Sequence, residues 1–174
     1  GGGKLVAADQ MVTYKEHMTQ NHRTLFFSGI ITGETDSRHL MLALDTINCD
    51  PIKFVITSAG GDLDSTFLFC DIFKAIRSPV ITIGEYCASA AAILLAAGDE
   101  RYLTPNAKVM LHLPAGAMKG DSKDFEIQHD QMMNYKNRIV ELLCEFGAKK
   151  KPSEILADID RDFWLTAQGA IDYG

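Results

Sequence analysis

Three apolar runs, TLFFSGI (24–30), KFVITSA (53–59) and VITIG (80–84), each give way to a segment whose apolar side chains fall at helical spacing. Runs this short, bounded by turn residues, fit buried strands, and recurrence at steps of three and four fits amphipathic helices. After the first strand, Asp36 or Ser37 can cap a helix carrying Leu40, Leu44 and Ile47. After the second, GGD (60–62) turns the chain into a helix with an inward stripe of Leu63, Phe67, Cys70 and Phe73. Ser78 and Pro79 stop that helix, and the third strand runs into GEYCASAAAILLAAG (84–98), which supplies the third helix. VMLHLP (109–114) is a fourth strand or extended segment, followed after a Gly-containing turn by a long helix from about Asp121 to Phe146. Strands separated by helices cannot close hairpins with one another. The alternation therefore predicts an α/β fold, repeated βαβ units around a largely parallel sheet.

A chain of 174 residues is one ordinary domain, able to bury roughly two thirds of the surface its unfolded form exposes. No Pro/Gly/Ser-rich linker or internal repeat divides it, so we read a polar N-terminal segment, 1–23, followed by one domain, 24–174. Gly1–Gly3 have no side chains to pack and are set aside. The formal charge of −6 argues against a nucleic-acid surface, which needs clustered Lys and Arg. No apolar run reaches the roughly 18 residues of a membrane span, because Gly84–Gly98 is closed by Asp99, Glu100 and Arg101, and no secretory leader is expected. Cys49, Cys70, Cys87 and Cys144 lie far apart with no CxxC pattern, which predicts a reducing, cytoplasmic setting and no metal cluster.

In open α/β sheets ligands bind beyond the carboxyl ends of the strands. Three candidates fall at such ends. Gly60 and Gly61 can adopt backbone angles other residues avoid and turn N–H groups toward a developing negative charge. Ser89 stands where the third strand becomes a helix, beside the N–H of Ala90, among the small residues Ala88, Ala90, Ala91 and Ala92. His112 ends the fourth strand. Taken singly, each has a plainer explanation: a turn that needs glycine, a serine bonded to its own helix, a histidine satisfied in a core. Together they supply what acyl transfer requires, a hydroxyl, a base and backbone donors for an oxyanion. The base needs a carboxylate to fix its tautomer, and Asp158, Asp160 and Asp162 are all candidates. Asp162 precedes the aromatic pair Phe163–Trp164, which would bury it partly, but spacing does not choose among the three.

The long helix carries Met132, Tyr135, Ile139, Leu142 and Phe146 at alternating steps of three and four, either a face lying on its own sheet or a subunit contact. Lys149, Lys150 and Lys151 follow it and suit its negative end.

With these residues in view, the chain resembles the ClpP family, the proteolytic subunit of the ATP-dependent Clp protease, from about Thr24 to Gly174. The segments that carry the likeness are ITSAGGD (56–62), IGEYCASAAAILLAAG (83–98), RYLTPNAKVMLHLP (101–114), KDFEIQHDQMM (123–133) and DRDFWLTAQGAIDYG (160–174). The resemblance implies a ClpP/crotonase-like fold with a protruding handle helix at about 121–147. It implies a Ser-His-Asp peptidase with Ser89 as nucleophile, His112 as base and Asp162 as orienting acid, and oxyanion donors on the backbone of Gly61 and Ala90. Gly60, Asp62, Leu63, Leu113, Pro114 and Ala115 would line the substrate, and Arg161 would belong to the subunit contacts. No metal or organic cofactor is implied. The implied partners are further copies in two stacked seven-membered rings, an AAA+ unfoldase ring, and unfolded polypeptide, without nucleic acid or membrane.

The chain departs from the family pattern in several places. Ala59 stands where the family usually has Pro, Ala90 and Ala91 where it has Met and Gly, and Leu113 where it has Gln. Ala117 and Met118 thin the glycine-rich strand after Gly116, and residues 4–22 lack the apolar axial-loop pattern. The chain also stops at Gly174, short of the usual family end. Two rivals follow from the same fold: an inactive structural subunit of a ring, and a crotonase-type acyl-CoA enzyme, which would not need the serine and histidine pair.

Overall fold

The computed structural model describes residues 4–6 (backbone only), 23–33, 37–114, 116 and 118–174. Its elements are β1 (Lys4–Val6), β2 (Thr24–Ile31), α1 (Ser37–Ile47), β3 (Ile52–Gly61), α2 (Leu63–Ala75) and β4 (Val80–Ala88). They continue with α3 (Ala90–Ala96), β5 (Glu100–Leu111), α4 (Ser122–Glu145), α5 (Pro152–Asp158), β6 (Phe163–Thr166) and α6 (Ala167–Tyr173). Among the described residues one sheet runs β1-β5-β4-β3-β2, with those neighbours parallel, and β6 adds antiparallel to β5. The expected α/β class is what forms. Asp36, offered as a helix cap, and the departing N-terminal pattern at 7–22 lie outside the described residues.

β3 to β5 form the buried centre. Ile52, Phe54 and Ile56 of β3 join the main core, and Val55, Ile81, Ile83 and Tyr102 make a smaller cluster. In the main core Phe54 meets Phe27, Phe69 and Phe73 at ring-centroid distances of 5.9, 5.8 and 5.8 Å. Each such ring stabilises the fold by about 1.5–3 kcal/mol through burial.

Several expectations are corrected in detail. TLFFSGI is not a buried strand: β2 is the sheet edge, so Phe27 and Ile31 are buried while Phe26 and Ile30 face outward. On α1 the inward residue is Met41, fully buried, whereas Leu40 and Ile47 are exposed. On α2 Cys70 and Phe73 do point inward, joined by Phe69, but Leu63 and Phe67 are only half-buried. β5 begins at Glu100, nine residues ahead of Val109, and ends one residue before His112. On α4 only Ile139, Val140, Leu142 and Leu143 are buried, all in the C-terminal half.

The end of α4 is met by Arg101. This buried guanidinium donates to the carbonyls of Ala96 (3.0 Å), Phe146 and Gly174 (3.1 Å), which close α3, α4 and α6. The last carbonyls of a helix lack intrahelical partners and carry its negative partial charge, so one planar five-donor cation can serve three ends at once. Burial pulls its pKa down from the usual arginine value.

Burial also raises the Cys70 thiol to about 12 and pushes Cys87 further up, while Cys49 is exposed. Only a thiolate reacts readily. A thiol reagent is therefore expected to modify Cys49 quickly and Cys70 and Cys87 only after unfolding, as counted with Ellman's reagent with and without denaturant. Fast modification of Cys87 in the folded protein would contradict this.

Candidate active site

β4 ends at Ala88 and α3 begins at Ala90, leaving one residue for the corner. That residue, Ser89, has φ 60° and ψ −126°, and is the one non-glycine residue with positive φ among those described. Such a conformation costs on the order of 1–3 kcal/mol and persists where surrounding contacts hold it. Here the Ser89 N–H donates to Met110 O at 2.8 Å, and the Ser89 carbonyl accepts from the Ala92 N–H at 3.0 Å. A sharp strand-to-helix corner projects its side chain away from the helix it starts. Accordingly Ser89 makes no capping bond, and its Oγ lies 2.7 Å from His112 Nε2. The alternative of a serine bonded to its own helix is not what forms.

His112 follows β5 directly, and the next residue, Leu113, is fixed by its N–H to Ile159 O at 2.8 Å. The third group arrives through β6. Its antiparallel register on β5 pairs Leu111 with Phe163, so one residue further along His112 stands opposite Asp162. His112 Nδ1 is 3.1 Å from Asp162 Oδ1. Of the three aspartates, Asp158 instead accepts from the Tyr173 hydroxyl at 3.0 Å, and Asp160 is exposed. The expected partial burial of Asp162 is corrected: its side chain is 63% exposed. Phe163 packs on Tyr173 and Trp164 on Tyr86, at centroid distances of 5.5 and 6.1 Å.

On the other side of Ser89, β3 ends in Gly60 (φ 104°) and Gly61 (φ 148°). A Cβ on Gly60 would stand 2.8 Å from Ala88 O and 2.9 Å from Ser89 Cβ, and one on Gly61 would stand 2.2 Å from Ile31 O. Both positions therefore need glycine for space as well as for angle. The ladder between β3 and β4 stops at Ser58–Cys87, and Asp62 N–H turns back to Ile31 O at 2.9 Å.

The remaining predicted residues are scattered around this centre. The Asp62 carboxylate caps α2, accepting from the Ser65 N–H and hydroxyl at 2.8 and 2.7 Å, and the Ser65 hydroxyl bond leads in holding its pKa below the usual value. Leu63 and Pro114 are half-buried, Leu113 belongs to the core, Arg161 is exposed, and Ala115 lies outside the described residues. Sequence reasoning missed Ser58, whose Oγ accepts the Gly60 N–H at 3.1 Å, and the Met110 carbonyl. A serine two residues ahead of a glycine is ST-turn spacing, which could have flagged Ser58. The Met110 carbonyl left no signal.

A hydroxyl, an imidazole and a carboxylate thus stand in hydrogen-bonded series at the strand ends of a largely parallel α/β sheet, an arrangement that suits acyl-transfer chemistry. The model of the family described as Clp protease matches residues 8–174. A Clp protease proteolytic subunit 1 from Protochlamydia amoebophila is 34% identical over 98% of this chain and 86% of its own. The ATP-dependent Clp protease proteolytic subunit from Paracoccus denitrificans is 37% identical over 84% of this chain and 76% of its own. A solved ClpP1 variant from Listeria monocytogenes superposes with a TM-score of 0.80 at 32% identity, over 94% of this chain and 92% of that one. The chain belongs to the Clp protease family and is a serine endopeptidase of that kind. The inactive-subunit and crotonase readings are not favoured.

Proposed function

We propose that Ser89, His112 and Asp162 are the residues with which this endopeptidase cleaves peptide bonds through an acyl-enzyme. The observation that carries the proposal is the 2.7 Å separation of Ser89 Oγ and His112 Nε2. An ionised Asp162 can only accept, so the proton of the neutral imidazole sits on Nδ1 and Nε2 is left to accept the Ser89 O–H. Attack of Oγ on the peptide carbonyl transfers that proton to Nε2, and Asp162 stabilises the resulting imidazolium. The negative charge moves to the carbonyl oxygen, where the Gly61 and Ala90 N–H groups meet it. His112 then gives its proton to the leaving amine, and a water molecule activated by the same Nε2 releases the acyl group from Ser89. The cycle consumes only water.

Asp162 is the group whose loss tests the assignment without removing the nucleophile. Asp162→Asn is expected to lower kcat by roughly 10³–10⁴-fold by favouring the wrong tautomer of His112. Hydrolysis of a fluorogenic short peptide by the purified protein checks it, and a change smaller than tenfold would count against the triad.

Beyond the single chain, we read the assembly as two stacked seven-membered rings, fed with unfolded polypeptide by an ATP-driven unfoldase in the cytoplasm. The relatives are subunits of ATP-dependent proteases by name. No helix among the described residues is long and apolar enough to cross a membrane. Phe125, Ile127 and Met133 leave apolar surface exposed on the N-terminal half of α4, which supports the handle helix as the contact between rings. Arg161, exposed beside Asp162, fits a subunit contact. A native mass of fourteen chains is expected, and a monomer or small dimer would overturn the ring reading.

A further inference from the structure

We propose that Ser58 is a positioning residue for the oxyanion hole, its hydroxyl oxygen holding the Gly60 N–H so that the Gly60–Gly61 peptide presents the Gly61 N–H to Ser89. The inference rests on the peptidase reading above and adds to it the group that orients a backbone donor.

Ser58 is 2% exposed, and its Oγ accepts from the Gly60 N–H at 3.1 Å. It occupies the last register position that β3 shares with β4, opposite Cys87 and two residues before Ser89 in the neighbouring strand. Beyond that pair the β4 side offers Gly60 and Gly61 no ladder partner. Two glycines with φ of 104° and 148° have wide conformational freedom, so their local sequence does not decide where their N–H groups point. Something outside the pair has to decide it.

The structure supplies a hold at each end. Behind the pair, the Asp62 N–H is bonded to Ile31 O at 2.9 Å. Ahead of it, Ser58 engages the Gly60 N–H. The backbone of Ala88–Ala90 closes the third side, as the space denied to a Cβ on Gly60 demonstrates. The Ser58 bond also divides the labour within the glycine pair. Gly60 has its N–H committed to Oγ, and Gly61 is left to donate toward the reacting carbonyl. Among the described residues Ser58 makes no hydrogen bond to Ser89 or His112, so its effect on the reaction runs through the loop alone.

The test compares Ser58→Ala, Ser58→Val and Ser58→Thr with the parent protein, all as the intact assembly. Labelling of parental Ser89 by a fluorophosphonate is read first, and its absence overturns the peptidase reading and this proposal with it. With labelling present, Ser58→Ala and Ser58→Val are expected to lower kcat for a fluorogenic peptide by roughly 10–100-fold, less than the loss of a donor itself, with KM within about twofold. Ser58→Thr, similar in shape to Val but with the hydroxyl retained, is expected to stay within about fivefold of the parent. Affinity for a peptide boronate, which forms a tetrahedral adduct on Ser89, should fall in step with kcat/KM. The acid limb of the pH–rate profile should not move, since His112 and Asp162 are untouched. Equal losses in Ser58→Thr and Ser58→Val, or an alanine variant within twofold of the parent, overturn the proposal while leaving the peptidase reading intact. Failure of Ser58→Ala to assemble assigns the hydroxyl to folding and overturns it equally.

Discussion

Ser89→Ala is expected to lower peptide hydrolysis by roughly a million-fold, close to the residual rate given by binding and the oxyanion donors alone. In the proposed mechanism Oγ is the atom that bonds to the carbonyl carbon, and neither water nor a neighbouring thiol can replace it. Cys87 lies two residues away, but its thiol is buried and its pKa pushed far up, so it offers no thiolate. His112→Ala should fall to nearly the same level, and the double variant no further, because the pair acts as a unit. Folding is a separate matter. Alanine keeps the positive φ of Ser89 and its strain, so the alanine variant should be about as stable as the parent. Ser89→Gly should be equally inactive yet more stable by about 1 kcal/mol, since glycine accepts that angle. Peptide turnover and thermal melting, measured side by side, separate the two effects. A loss of activity below tenfold in Ser89→Ala would remove the serine from the chemistry.

Arg101→Met is expected to be the most damaging single change to stability, by about 3–5 kcal/mol. Methionine keeps much of the apolar stem, but the half-buried carbonyls of Ala96, Phe146 and Gly174 all lose the donor they share. At the size of this chain the change corresponds to a fall in Tm of roughly 10 °C. Arg101→Lys should recover little of it, because one ammonium on a flexible stem cannot address three carbonyls in a planar fork. Thermal unfolding followed by circular dichroism reads both variants. A destabilisation below about 1 kcal/mol for Arg101→Met would mean that the three helix ends find other partners.

The central βα units were legible in the sequence because the period of apolar residues changes at their boundaries, and those boundaries are where Gly60, Gly61 and Ser89 stand. What stayed hidden depended on pairings between distant segments. TLFFSGI has the composition of a buried strand, yet nothing local says that β2 is the edge and leaves Phe26 in solvent. The first nine residues of β5 lay outside the expected strand, which began at Val109. In the structure Pro105 falls between Leu103 and Lys108, where the pairing with β4 is interrupted and no ladder bond is lost with its missing N–H. The choice among Asp158, Asp160 and Asp162 followed the same rule. It is set by the register of Leu111 on Phe163, a contact between strands more than fifty residues apart, which spacing within DIDRD does not encode.

The central claim is that Ser89 is a nucleophile activated by His112, and a fluorophosphonate probe tests it most directly. Incubation with the assembled protein, followed by digestion and mass spectrometry, is predicted to give one adduct per chain, on Ser89, with labelling absent in Ser89→Ala and slowed by roughly 10³-fold or more in His112→Ala. A parent protein that assembles but takes no label at Ser89, or an His112→Ala variant that labels at the parental rate, would contradict the account.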